Sequence, residues 1–417
     1  MYFSFRSKFN IILALIVIFS ACLALVISSR QAVRATGTSL KIPVKSGVAS
    51  IYSGVSCGVW SVVSSPNVGM SDNHLSAVAA VSGHNVWAVG NSQINQSLQT
   101  LIEHWNGASW SIVASPNPST YLSSLDGVAA ISANNVWAVG YYFTSSSSSP
   151  QTLIEHWDGT SWSIVASPNA GVYNILLGVA RVPGTTQLWA VGEYYNSLTN
   201  NVQQTLVEQW NGSNWSVVSS PNVGLYGNIL SGVTAVSASD GWVVGSYYTS
   251  SGSSPQTLIE HWDGTSWSIV SSPNPQGMNT LAGVIRVPSS KQLWAVGNNI
   301  SSSGSSQTLI EQWKASSWNV VSSPNGASYS NTLDGVAAIS ASNVWAVGYY
   351  SNTNSLPQTL IEHWDGTSWS VVSSPNPGSD DDILFGVARV PSTSELWAVG
   401  FYFNSGNNVQ TLIMFYC

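Results

Sequence analysis

The sequence predicts an all-β chain, a seven-bladed β-propeller with four antiparallel strands per blade, and three observations predict it. A Trp-Ala/Val-Val-Gly element recurs at Trp87, Trp137, Trp189, Trp242, Trp294, Trp345 and Trp397, with spacings of 50, 52, 53, 52, 51 and 52 residues. Self-similarity at so regular a period marks a repeat architecture. Each unit also holds four short segments rich in Val, Ile, Leu, Thr and Trp, set apart by Gly, Asn, Asp, Ser and Pro, as strands and turns are. Third, all 20 tryptophans fall on repeat positions, so none is left over as an isolated functional side chain.

The unit is fullest from Leu125 to Pro168. A GVAAIS segment gives the first strand and NVWAVGYY the second. A Ser-rich stretch follows, then QTLIEHW for the third strand and DGTSWSIVASPN for the turn and fourth strand. The third strand closes on Trp105, Trp157, Trp210, Trp262, Trp313 or Trp364. The fourth opens on Trp60, Trp110, Trp162, Trp215, Trp267, Trp318 or Trp369. Between them stand Asn106-Gly107, Asp158-Gly159, Asn211-Gly212, Asp263-Gly264 and Asp365-Gly366, pairs that suit the positive φ angles of a tight hairpin. Outside the apolar N-terminus no segment shows a helical period.

The ends of the chain predict how the last blade is completed. A lone fourth strand, residues 59–66, precedes the first full unit, and the last unit, begun near Phe385, stops after its third strand, Gln410 to Tyr416. Unpaired strand edges are sticky and costly, so residues 59–66 are expected to complete the blade of residues 385–416. Cys417 aligns with Asn106 and Cys57 with Gly107, the two positions of the hairpin turn in other units. A Cys57–Cys417 disulfide would replace the missing turn. Loop entropy sets its ceiling at about 5–6 kcal/mol.

The N-terminus reads as an export signal or anchor over residues 1–35, followed by a linker over 36–56 and the propeller over 57–417. Arg6 and Lys8 precede an apolar run from Ile11 to Ile27, and Val33-Arg34-Ala35 offers a small-residue cleavage site. An uncleaved anchor is the alternative, and Phe19-Ser20-Ala21-Cys22 has the outline of a lipidation box. Each reading places the body outside the cytoplasm, secreted or at the cell surface, where a disulfide persists. Charged residues are only 7% of the chain, and beyond residue 35 there are 7 basic against 18 acidic side chains, a net −11. Nucleic acid is therefore excluded as a partner, because phosphate backbones need Lys and Arg. A monomer is expected.

The second strand ending in Gly (Trp137 to Gly140), a variable loop and a Trp opening the fourth strand (Trp162) resemble the Kelch-type propellers over residues 57–417. The double glycine of that family is missing, since Tyr141 stands at its second place. The turn from Asp158 to Trp162 is similar to a shortened Asp-box, as in sialidase-like propellers. The resemblance implies the propeller fold and leaves activity open.

Candidate chemistry is weighed against the repeat. Glu103, Glu155, Glu208, Glu260, Glu311 and Glu362 share one repeat position, which reads as a blade-stapling hydrogen bond rather than a catalytic or metal set. His104, His156, His261 and His363 alternate with Gln209 and Gln312, so imidazole is not required there. His74 and His84 are off-pattern without ligand-like neighbours, and Asp380-Asp381-Asp382 is read as a solvated run rather than a calcium site. Arg181, Arg286 and Arg389, the only arginines of the body, read as packing or inter-blade ion pairs, with anion binding in the central channel as the alternative. No catalytic residue, metal or cofactor is assigned.

Ligand contact is assigned to the long Ser- and Asn-rich loops and the aromatics beside them: Tyr141, Tyr142, Tyr194, Tyr195, Tyr247, Tyr248, Tyr349, Tyr350 and Tyr402, with Tyr121, Tyr173, Tyr226 and Tyr329 in the inter-blade loops. Tyr, Asn and Ser suit glycan or protein ligands. The alternative is that the tyrosines merely extend the second strand and pack between blades. The leading expectation is a non-enzymatic surface or secreted binding module. A polysaccharide-active hydrolase or lyase is the rival, and it needs a pair among Asp72, Glu193, Asp240, Glu395 and the Asp380 run. A structural surface protein is the third reading.

Overall fold

The computed structural model describes residues 58–69, 72–95, 97–197, 202–250, 254–352 and 356–417. The expected signal segment, the linker and Cys57 lie outside the described residues. Among those residues the chain forms 28 strands and no helix.

The second repeat shows the unit: strands Leu122–Ser132, Asn135–Phe143, Gln151–Trp157 and Trp162–Ile164, each antiparallel to the next. Five sheets have four strands, and a sixth gathers the first two repeats through one bridge, Leu98 to Leu122. Repeated four-stranded antiparallel sheets of this kind are consistent with a β-propeller. One sheet combines distant segments: Ser61–Val62 pairs with Val409–Tyr416, with Ser61 opposite Phe415 and Val62 opposite Met414.

Each first strand carries a bulge opposite the second-strand glycine, between Leu125 and Gly127 in the second repeat. A Cβ on Gly140 would lie 2.1 Å from the Ser124 carbonyl oxygen, and the other six second-strand glycines meet the same obstacle at 1.9–2.0 Å. Glycine is required there by close approach.

The core lies between neighbouring sheets. The second-strand Trp of one repeat packs on the third- and fourth-strand tryptophans of the next: Trp87 on Trp157 at 4.9 Å and Trp162 at 5.4 Å, Trp189 on Trp262 and Trp267 at 5.0 and 5.1 Å. The last repeat reaches the first in the same way, Trp397 meeting Trp105 at 5.1 Å and Trp110 at 5.2 Å. Where the sixth repeat meets the sheet of distant segments, Trp345 packs on Tyr416 and Trp60. Such aromatic pairs add roughly 0.5–1.5 kcal/mol each beyond area burial.

Polar clamps repeat as regularly. The Asn of each Ser-Pro-Asn accepts the N–H of the third-strand Thr: Thr152 to Asn169 at 3.0 Å, Thr257 to Asn274 at 2.8 Å. Thr411 N–H finds Asn67 Oδ1 at 2.9 Å, the same clamp made between residues far apart in the chain.

Candidate binding face and central cavity

The nine loop-side tyrosines occupy the ends of the second strands and are all half-buried. Strand alternation divides them. Tyr142, Tyr194, Tyr247, Tyr350 and Tyr402 stand two residues after the glycine and pack against the inter-sheet cores. Tyr194 and Tyr350 also donate to Gln204 at 2.6 Å and Gln358 at 2.7 Å. Tyr141, Tyr195, Tyr248 and Tyr349 point to the opposite face of their strands, and Tyr141 meets Phe143 edge-on at 5.9 Å.

Tyr195 and Tyr248 surround Glu193, the acid that breaks the repeat. Glu193 is buried, 7% exposed, and accepts Gln203 Nε2 at 2.5 Å. Burial lifts its carboxyl to about 7, with the Gln203 hydrogen bond opposing. Tyr173 stacks edge-on against Tyr195 at 4.6 Å, and burial followed by the Glu193 charge pushes its hydroxyl up. The Tyr173 hydroxyl is buried and has no hydrogen-bond partner among the described residues. Glu193 was visible in the sequence as an off-repeat acid. Its setting among Tyr173, Tyr195, Tyr248 and Gln203 was not, because it depends on which strand face each residue takes.

Two further acids escaped the sequence reading. Asp126 and Asp334 are the bulge residues of the second and sixth first strands, where Ser76, Leu177, Ser231, Ala282 and Phe385 stand in the other repeats. Burial pushes each carboxyl to about 7, opposed at Asp126 by the Ser124 hydroxyl at 2.9 Å. Asn91 donates from Nδ2 to Ser124 Oγ and to His74 Nε2, both at 3.0 Å, and burial lowers His74 to about 4. A polar chain thus links His74, Asn91, Ser124 and Asp126. Their signal was the break in an otherwise small or apolar repeat position.

The repeated acids and histidines do structural work. Each ring glutamate is buried and accepts a serine hydroxyl from the preceding repeat, as from Ser115 to Glu155 at 2.7 Å and Ser167 to Glu208 at 2.8 Å. Burial raises each of the six to about 8, with the serine bond opposing. In the last repeat Met414 replaces the glutamate. His156 bonds Asn135 at 3.0 Å and stacks on Trp137 at 4.2 Å, and His261 meets Asp240 at 3.1 Å while stacking on Trp242. Asp382 is buried and accepts Gly378 N–H at 2.9 Å, so the acidic run is not uniformly solvated as its sequence suggested. Among the described residues no cluster of His, Cys, Asp or Glu could hold a metal ion.

At the opposite ends of the strands, all seven first strands line a cavity of about 610 Å³. Its wall is Val, Ala, Ile and Pro, with Thr234, Ser289 and the three arginines.

No family model matches the chain, and no curated protein matches it. Solved structures do. It is similar to YCF48 bound to D1 peptide, at 13% identity and a TM-score of 0.52, over 87% of this chain and 97% of that one. It is similar to a protein of unknown function from Dyadobacter fermentans DSM 18053, at 10% identity and a TM-score of 0.49, over 87% and 99%. A third, YjhT, gives 11% identity and a TM-score of 0.43 over 73% and 99%. With the repeated sheets, the first of these supports a β-propeller-like repeat protein.

Proposed function

We propose that the protein is an exported β-propeller of seven blades, Kelch-like in its second strand, that binds a polypeptide segment on the face where the second strands end. The seventh blade is completed by Ser61–Val62, a reading supported by its pairing with Val409–Tyr416 and by the Thr411–Asn67 clamp. Export is supported by the basic and apolar N-terminal run.

One observation carries the binding site: apolar side chains stand exposed beside the Glu193 group. Leu225 is 76% and Tyr226 50% exposed, with Val223 exposed two residues before Leu225 and Val172 exposed beside Tyr173. Val172 N–H donates to Tyr195 O at 2.9 Å and Tyr226 N–H to Tyr248 O at 3.1 Å. The exposed residues are therefore tethered to the strand ends that surround Glu193. Aliphatic side chains gain by covering apolar side chains of a partner, while Tyr and the Gln203 amide add directed contacts. That composition favours a polypeptide over a neutral glycan. The similar structure holding a peptide supports the same class of partner.

A phage-displayed random peptide library panned on the purified chain, run beside a neutral glycan array, tests the reading. Peptides with Leu, Phe or Trp anchors are expected, and Leu225→Ser with Tyr226→Ala should weaken the selected peptide at least tenfold with circular dichroism unchanged. Glycan binding alone, or peptide binding indifferent to both substitutions, overturns it.

A further inference from the structure

We propose that the central cavity is a second binding site, in which Arg181, Arg286 and Arg389 together take a divalent oxyanion of the phosphate or sulfate class. It lies away from the tyrosine face. Arg181 pairs with Leu188 at one end of its hairpin, and Tyr173 pairs with Tyr195 at the other.

The arginines are the only ionisable residues in the cavity wall. They come from the third, fifth and seventh repeats and line the same cavity; burial, and then the charge of Arg181, lowers the Arg389 guanidinium from its ordinary value. Arg286 is held in place, donating from Nε to Ser290 O at 3.2 Å and from Nη1 to Val236 O of the preceding repeat at 3.3 Å. Among the described residues the one ion pair is His261–Asp240, so no carboxylate there neutralises the three. Arg181 is exposed and Arg286 and Arg389 are half-buried, so solvent screens part of their mutual repulsion and a bound counter-charge relieves the rest. A guanidinium presents two parallel N–H donors that match the oxygens of phosphate or sulfate. Three such cations call for an anion with more than one charge. The cavity has room for a small ion or for an ester group at the end of a larger molecule.

The test is calorimetric titration of the full chain with inorganic sulfate, inorganic phosphate and glucose 6-phosphate at fixed ionic strength, against chloride and glucose. Sulfate and phosphate should bind and chloride should not. Arg181→Gln with Arg389→Gln should weaken binding at least tenfold, while Lys314→Gln, outside the cavity wall, leaves it unchanged. If the double variant does not fold, each single variant is read, with a threefold or greater loss expected. Glucose 6-phosphate binding as well as phosphate assigns the site to esters on larger partners, and phosphate binding alone assigns it to the free ion. Heats equal to those of chloride, or affinity unchanged in folded arginine variants, overturn the proposal. Failure of peptide binding at the tyrosine face would leave this result untouched.

Discussion

At the scale of single residues, the six stapling glutamates make stability depend on pH. Their carboxyls sit near 8 in the folded chain, against 4.5 as the ordinary value, because burial disfavours the anion. Between those limits the unfolded chain binds fewer protons than the folded one, so unfolding free energy falls as pH rises. Each carboxyl contributes a slope of up to about 1.4 kcal/mol per pH unit in that window. Guanidinium unfolding at pH 5, 7 and 9 should show the chain most stable at pH 5, and Glu155→Gln should flatten the dependence by one carboxyl. A profile flat from pH 5 to 9 would show the carboxyls ionised without penalty. The stapling role was legible in the sequence because the glutamate recurs in six repeats. The Glu193 group was legible only as one exceptional acid, since its tyrosines come from the ends of different strands that only the fold brings together. Asp126 and Asp334 were passed over because they sit within well-formed first strands and look like ordinary repeat variation.

At the scale of strands, the second-strand glycine and the opposing bulge form one device. Adding a methyl group at Gly140 drives it into the Ser124 carbonyl, a backbone atom that cannot swing aside. Gly140→Ala should cost about 3 kcal/mol or more by denaturant titration. Gly184→Ala is the contrast: it meets nothing within 4 Å and suffers only from its φ of +76°, which costs roughly 1–2 kcal/mol. Equal losses at the two sites would remove the bulge argument. Strands and turns were plain in the sequence because Trp, Val and Ile alternate with Asp-Gly and Asn-Gly pairs. The bulge was not, since one extra residue in a first strand leaves the apolar pattern nearly intact. Alternation along the second strand divides the tyrosines into two sets, but which set meets the neighbouring sheet depends on packing that the sequence does not display. Hence nine were offered as one surface, where the structure packs five, half-buried, against the cores.

At the scale of the whole molecule, the proposed Cys57–Cys417 bond joins segments already held by backbone contacts. Gly58, next in sequence to Cys57, donates its N–H to Cys417 O at 2.9 Å. Non-reducing peptide mapping should recover a Cys57–Cys417 linked peptide, and Cys417→Ser should cost less than the loop-entropy ceiling of about 5–6 kcal/mol. Loss of stability on adding reductant should appear in the parent chain and vanish in the variant. Two free thiols in the oxidised protein would defeat the assignment. The pairing of residues 61–62 with 414–415 has a further consequence, one of timing. Every other sheet can assemble from neighbours as the chain emerges. The strand at 61–62 must wait for a partner about 350 residues further along the chain, made roughly 20–70 s later at ordinary synthesis rates. Until then two strand edges stand open in a chain with few charges to keep copies apart, so yield should depend on how sparingly and how quickly the chain is made.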